Sequence, residues 1–342
     1  MKQLAFATLI VITLCGGTFG QAKVGTTGPQ FLELMPTARS QATMTGAILF
    51  DDSHGHHYNP ALLAFRPQYV VSLSTLELEG GVDFRGGAAS YGTFDNSGRG
   101  IHAGYSLMNL SSGSLTERTY DQGTIDGTGR TFEYDGYEHK FMLAYGLSTA
   151  FDFSIGLAVK AIKEEVHDYS SDGMAFDIGA AARHFIMLSE TISAQPFASM
   201  AYQDFGPDMK FVVNEYPLPK RFTIGVGSRF SYHGGRVRLA EVTPVFERIF
   251  LPDEQADYYT VGIEAGFFET AYLRTGDREY SNFDSVWGFG VTTIGIQKQL
   301  FGAPRIGNGF IRWLAAHLHV SFDYSSHGGV FSGQPYSISV ML

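Results

Sequence analysis

The sequence predicts an all-β fold: a transmembrane antiparallel β-barrel of about fourteen strands, with a partly helical N-terminal segment acting as a plug. Three observations point there. Over residues 151–161, Phe151, Phe153, Ile155, Leu157, Val159 and Ala161 occupy every second position, and Asp152, Ser154, Gly156, Ala158 and Lys160 fill the gaps. A strand sends successive side chains to opposite faces, so this stretch has one greasy face and one small or polar face. The same alternation runs through 222–232, 259–267 and 314–324. Charged residues make up only 17% of the 342-residue chain, against about 25% in ordinary soluble proteins. Finally, the chain opens on an export signal and has no later apolar run long enough for a spanning helix, so a membrane crossing requires a closed sheet.

The signal is expected over residues 1–20. Lys2 supplies a short positive region, 4–14 is apolar, and Thr18-Phe19-Gly20 reads as a cleavage site before Gln21. Cys15, the one cysteine, lies within it, so the exported chain has none and disulfides cannot staple it. The formal charge of -10 excludes a basic nucleic-acid-binding stripe.

Residues 21–67 lack period-two alternation and read as a plug or hatch segment. Thr37 caps a short helix over 36–44 that stops at Gly46, and Asn59 caps a second one starting at Pro60, with Pro67 forbidding continuation. Residues 68–342 read as the barrel. The expected strands are 68–79, 81–91, 99–110, 138–148, 151–163, 173–185, 191–203, 221–232, 236–246, 257–268, 270–275, 287–297, 313–325 and 335–342, with 131–134 either a further short strand or an extension of its neighbour.

Cost decides which face meets lipid. A Lys or Arg at mid-bilayer costs roughly 2–4 kcal/mol. The four clean apolar stripes carry no charge, whereas the opposite stripes hold Lys160, Arg221, Arg229, Glu264 and Asp323. The apolar stripes therefore face lipid and the polar ones the lumen. Tyr69, Tyr91, Tyr202, Tyr232, Tyr324, Trp287 and Trp313 fall near strand ends, as interfacial girdles do. The segment 236–246 fits poorly, because Arg236 and Arg238 lie on one stripe and Glu241 on the other. The final strand is expected to pair with an early one and abolish the sheet edge.

Several residues bear chemistry. Asp51, Asp52, His54, His56 and His57 form the densest set of potential metal ligands, with His54 and His56 on one face if the segment is extended. The plainer reading, a polar loop before the Asn59 cap, is preferred. His317, His319 and Asp323 share the interior stripe of one strand and read as a hydrated lumen wall. No nucleophilic cysteine and no Gly-x-Ser-x-Gly elbow is present. No catalytic, cofactor or metal site is expected.

Several motifs together resemble the PorV/PorQ family of outer-membrane proteins. They are Phe31-Leu32, Pro36-Thr37-Ala38-Arg39, Thr45-Gly46-Ala47, Asp51-Asp52 and Asn59-Pro60-Ala61-Leu62-Leu63 near the start. Further on, 173–179, 218–225, and 322–324 with 336–339 are also similar. The resemblance implies a barrel related to FadL-type fatty-acid channels, with Phe31, Leu32, Arg39, Asn59 and Pro60 in a lumen-associated segment. It also implies a role in a type IX secretion system of Bacteroidota, receiving secreted client proteins and passing them to other secretion components. The alternative is a channel for small hydrophobic molecules. Either way the expected location is the Gram-negative outer membrane, with its lipid as a partner and no nucleic acid.

Overall fold

In the computed structural model, the described residues are 29–47, 50, 54–65, 69–78, 81–121, 124–211, 213–235, 237–252, 257–279, 286–301, 318–327 and 334–341. The expected signal peptide, Asp51, Asp52, Trp313 and His317 lie outside them.

Fourteen antiparallel strands close on themselves. They are β1 (Tyr69–Leu78), β2 (Val82–Phe94), β3 (Arg99–Ser111), β4 (Tyr134–Ser148), β5 (Asp152–Val166), β6 (Tyr169–Arg183) and β7 (Ile192–Phe205). The remainder are β8 (Arg221–Gly234), β9 (Val237–Phe250), β10 (Tyr258–Phe267), β11 (Ala271–Arg278), β12 (Val286–Thr292), β13 (His319–His327) and β14 (Tyr336–Met341). Each pairs with its sequence neighbours, and β14 pairs with β1 through Val70↔Met341 to Thr75↔Tyr336. That seam leaves no open edge, as expected from the terminal alternation. The result is the fold of an outer-membrane barrel.

The stripes face as the cost argument requires. Leu143, Ile155, Leu157, Ile178 and Met200 are exposed on the outside, while Lys140, Lys160, Asp177 and Glu264 are buried within. Tyr69, Tyr91, Tyr232 and Trp287 are about half exposed on the outer face. Turns at 95–98, 149–151 and 268–270 gather at one end, which the β12–β13 connection shares, and the excursions between β3 and β4 and between β7 and β8 lie at the other. Long loops mark the external end of such barrels.

Several sequence expectations need correction. The expected strand 287–297 ends at Thr292, and Ile294–Phe301 is helical, anchored by Gln297 N to Thr293 O at 2.9 Å. Residues 131–134 are divided: Tyr134 opens β4, extending the strand expected from 138, and 131–132 belong elsewhere. Leu115–Asp121 and Thr124–Phe132 form a separate two-stranded hairpin outside the barrel sheet. The misfit charges of 236–246 are reconciled by a β-bulge. Tyr232 pairs with Ala240 but His233 with Arg238, so Leu239 is an extra residue and alternation resets across it. Arg238 and Glu241 consequently meet at 2.6 Å.

The segment before β1 lies inside the barrel. It comprises a 3-10 turn (Gln30–Glu33), helix α1 (Ala38–Thr43), a helical turn α2 (Gly55–Tyr58) and a 3-10 helix (Pro60–Phe65). Thr37 caps α1 by accepting from Ser40 N at 3.0 Å. The helix stops at Met44, which adopts a left-handed conformation (φ 53°), and not at Gly46 as expected. His54 and His56 sit on a helical turn, not on an extended stretch.

Candidate functional site

The site is the contact between this plug and the inner wall. α1 packs on β10 to β14, and the 3-10 helix Pro60–Phe65 packs on the opposite wall, β2 to β6. The plug thus braces the two sides of the lumen.

On the α1 side, Arg39 grips Glu264 with two bonds, Nε to Oε2 at 2.9 Å and Nη2 to Oε1 at 2.8 Å. A bidentate guanidinium–carboxylate pair fixes orientation as well as distance. Glu264 also accepts from Arg274 at 2.6 Å, and Arg274 donates to Asp323 at 2.6 Å. Four charges of alternating sign therefore run across β10, β11 and β13. Nearby, Glu247 on β9 accepts from the backbone amides of Gly46 and Ala47.

On the other side, the wall holds the plug by its carbonyls. Lys140 Nζ and Gln203 Nε2 each donate to His57 O at 2.9 Å. Ser154 donates to Ala61 O at 2.7 Å, and Arg221 to Leu32 O at 3.3 Å. Behind these bonds lies a fully enclosed ionic cluster. Lys140 meets Asp177 at 2.6 Å, and Lys160 meets Asp204 at 2.5 Å, Asp177 at 3.2 Å and Glu138 at 3.5 Å. Arg221 lies 3.9 Å from Asp204. Three cations thus face three carboxylates. Buried charges persist only when paired and hydrogen-bonded in this way.

Asn59 occupies the most specific position. Its Oδ1 caps the following helix by accepting from Ala61 N at 2.9 Å. Its Nδ2 donates to Ala180 O at 3.1 Å and Met200 O at 3.0 Å, carbonyls of the paired strands β6 and β7. A carbonyl has two lone pairs and accepts this bond beside a ladder bond. The approach is possible because the wall has almost no side chains there. Ala144, Gly156, Gly179 and Ala201 are cross-strand neighbours in one row over β4 to β7. A Cβ on Gly156 would overlap the Pro60–Ala61 backbone, and one on Gly179 would overlap the Asn59 side chain.

The outer surface of this row is hollow. An apolar concavity of about 680 Å³ lies on the lipid-facing side, walled by Leu143, Ile155, Leu157, Ile178, Met200 and Tyr202. On the luminal side is a small cavity of about 40 Å³ with mixed lining, bordered by Asn59, Gln203, Arg221 and Glu247 and by Leu62 and Ile249. Ala201 borders both spaces. Lumen and lipid are here separated by a single layer of backbone.

The remaining sequence candidates are placed as follows. Phe31 and Leu32 are buried in an apolar cluster with Ile162, Ala175, Met209 and Leu218 toward the external end. His319 and Asp323 line the interior of β13, and Asp323 joins the Arg39 chain through Arg274. Sequence reasoning missed Lys140, Glu138, Asp177, Gln203 and Glu247. Their signal was present as polar residues on interior stripes, but their convergence requires the register.

No family model matches this chain, and no curated protein matches it. Among solved structures, a FadL homologue of Pseudomonas aeruginosa is 10% identical with a TM-score of 0.44, covering 94% of this chain and 99% of its own. The toluene transporter TodX of Pseudomonas putida is 10% identical with a TM-score of 0.47, covering 94% and 98%. A deltaS2S3 mutant of TodX described as a monoaromatic hydrocarbon channel is 10% identical with a TM-score of 0.48, covering 89% and 97%. None of them supplies a residue role for this chain.

Proposed function

We propose that this protein is a channel of the Gram-negative outer membrane for small hydrophobic molecules, which leave the lumen through the wall beside Asn59. The observation that carries this reading is the row Ala144-Gly156-Gly179-Ala201, with the Asn59 side chain on its luminal face and the apolar concavity on its lipid face. The plug packs on both walls of the lumen, which favours an exit beside Asn59 over an axial one. The apolar contacts of Phe31, Leu32 and Leu34 toward the external end, with Leu76, Phe84 and Met108 nearby, give an uncharged solute compatible surroundings before that point. Monoaromatic hydrocarbons, for which the TodX mutant above is described as a channel, are the solutes to try first.

The test is uptake of a labelled monoaromatic hydrocarbon by vesicles containing the purified barrel. Ala180→Trp fills the concavity and is expected to cut uptake to near the protein-free rate. Val291→Trp, on a distant lipid-facing position of β12, is expected to leave it unchanged. Equal uptake by both variants would overturn the reading.

A second reading is supported by the hairpin of Leu115–Asp121 and Thr124–Phe132, which among the described residues pairs with itself alone and lies outside the barrel sheet. Hairpin edges accept an added strand from a partner. This suits the receipt of secreted clients implied by the resemblance to the PorV/PorQ family. Deleting 115–132 should then abolish co-purification of surface-bound clients; secretion and co-purification that continue without the hairpin would sink it.

A further inference from the structure

We propose that His57 makes seating of the plug dependent on pH, so that the plug loosens as the medium falls below about pH 6.5.

The argument begins with position. His57 is fully enclosed, and its carbonyl is the acceptor shared by Lys140 and Gln203. The residue whose ring would take up a proton is therefore the residue by which the wall holds this half of the plug. The ring packs edge-on against Tyr58 at 5.2 Å between centroids, with His56 adjacent in the chain. Across from it are Glu138 and Lys140 on β4, Lys160 on β5, Asp177 on β6, Asp204 on β7 and Arg221 on β8. Glu138 Oε1 lies 3.8 Å from Nδ1, and among the described residues neither ring nitrogen has a hydrogen-bond partner.

Charge balance then fixes the protonation state that the seated plug tolerates. Lys140, Lys160 and Arg221 are already matched by Glu138, Asp177 and Asp204. A protonated His57 would be a further cation beside Lys140, Lys160 and Arg221, in an enclosure where Glu138, Asp177 and Asp204 already face those three. Burial, with Lys140, Lys160 and Arg221 alongside, holds the imidazole well below its ordinary range. The seated plug thus requires a neutral ring.

The sign follows from linkage. Once the segment leaves the wall, the ring is hydrated and takes a proton near pH 6.5. Above that value seating carries no proton penalty. Below it the released form is favoured up to tenfold per pH unit, until the ring would titrate even when seated. Free carboxylates titrate near pH 4, below the interval from 6.5 to 5, and the His57 variant separates this ring from His54 and His56, which are buried in the same turn.

The experiment is conductance of the reconstituted barrel in a planar bilayer, in symmetric buffers from pH 7.5 to 5.0. Wild type is expected to show a flat open probability above pH 6.5 and a rise of up to about thirtyfold by pH 5.0. His57→Gln is expected to lose that rise. Folding of the variant is checked by its migration in unboiled gels, and His57→Phe replaces it if the glutamine variant fails to fold. A wild-type barrel with no rise, or a folded variant that keeps it, overturns the proposal.

Discussion

Gly156 on β5 lies so close to Ala61 that a Cβ would collide with the backbone nitrogen of that residue. The colliding atoms belong to main chain, not to a side chain that can swing away. Gly156→Ala must therefore displace either the plug or the strand. The expected cost is about 1–3 kcal/mol, as for other overpacked sites. It is measured as a lower midpoint in urea for the detergent-solubilised barrel, and as faster amide exchange over Pro60–Phe65.

Asn59→Leu removes two bonds to the wall and one helix cap. The amides of Ala61 and Leu62 are expected to lose protection by at least tenfold in hydrogen exchange, corresponding to about 1.4 kcal/mol or more. Asn59→Asp keeps the cap but loses both donors. It should retain protection at Ala61 better than the leucine variant while still opening the contact with β6 and β7.

Arg39→Met strips Glu264 of its bidentate partner but leaves it paired with Arg274. Truncating one member of a buried pair costs about 3–5 kcal/mol when the other is stranded. The remaining Arg274 contact places the expected loss toward the lower end. Arg39→Met combined with Glu264→Gln should cost less than the sum of the singles, because the second change removes the stranded charge. Thermal unfolding of the four proteins forms the cycle; strict additivity would mean that the two residues do not interact.

Glu269, in the turn after β10, gives a pH-dependent term at the end carrying the tight turns. Burial pulls its pKa upward, but bonds from Lys298 and from the Arg238 amide outweigh burial and hold the carboxyl below its usual range. A carboxylate with a depressed native pKa stabilises fully above its unfolded value, near 4.3, and that contribution is lost as pH falls through the native value. Glu269→Gln is expected to be less stable at pH 7 and to lose less stability than wild type between pH 5 and 3.

The barrel was legible because period two is imposed by the pleat itself. A strand between lipid and lumen must alternate, and Phe151 to Ala161 do so without exception. Ile294-Gly295-Ile296-Gln297 also alternate, yet form a helix. Four residues fit either period, and the deciding contact is distant: Gln297 Nε2 bonds to Leu318 O. Arg238 and Glu241 misled for another reason. Parity counting assumes an unbroken ladder, and Leu239 interrupts it. Within the plug, the caps at Thr37 and Asn59 could be read because a cap is local. The partners of Arg39 and Asn59 could not, since they come from strands more than 100 residues away. The Ala144-Gly156-Gly179-Ala201 row is unremarkable in sequence and becomes a row only when four strands are laid in register.

The half of the plug facing β4 to β8 is clasped by the carbonyls of Leu32, His57 and Ala61, groups that every amino acid provides. Much of its lettering is therefore free to drift while the grip persists. Homologous barrels should tolerate transplanted plugs of quite different spelling, provided that an asparagine still stands where Asn59 does.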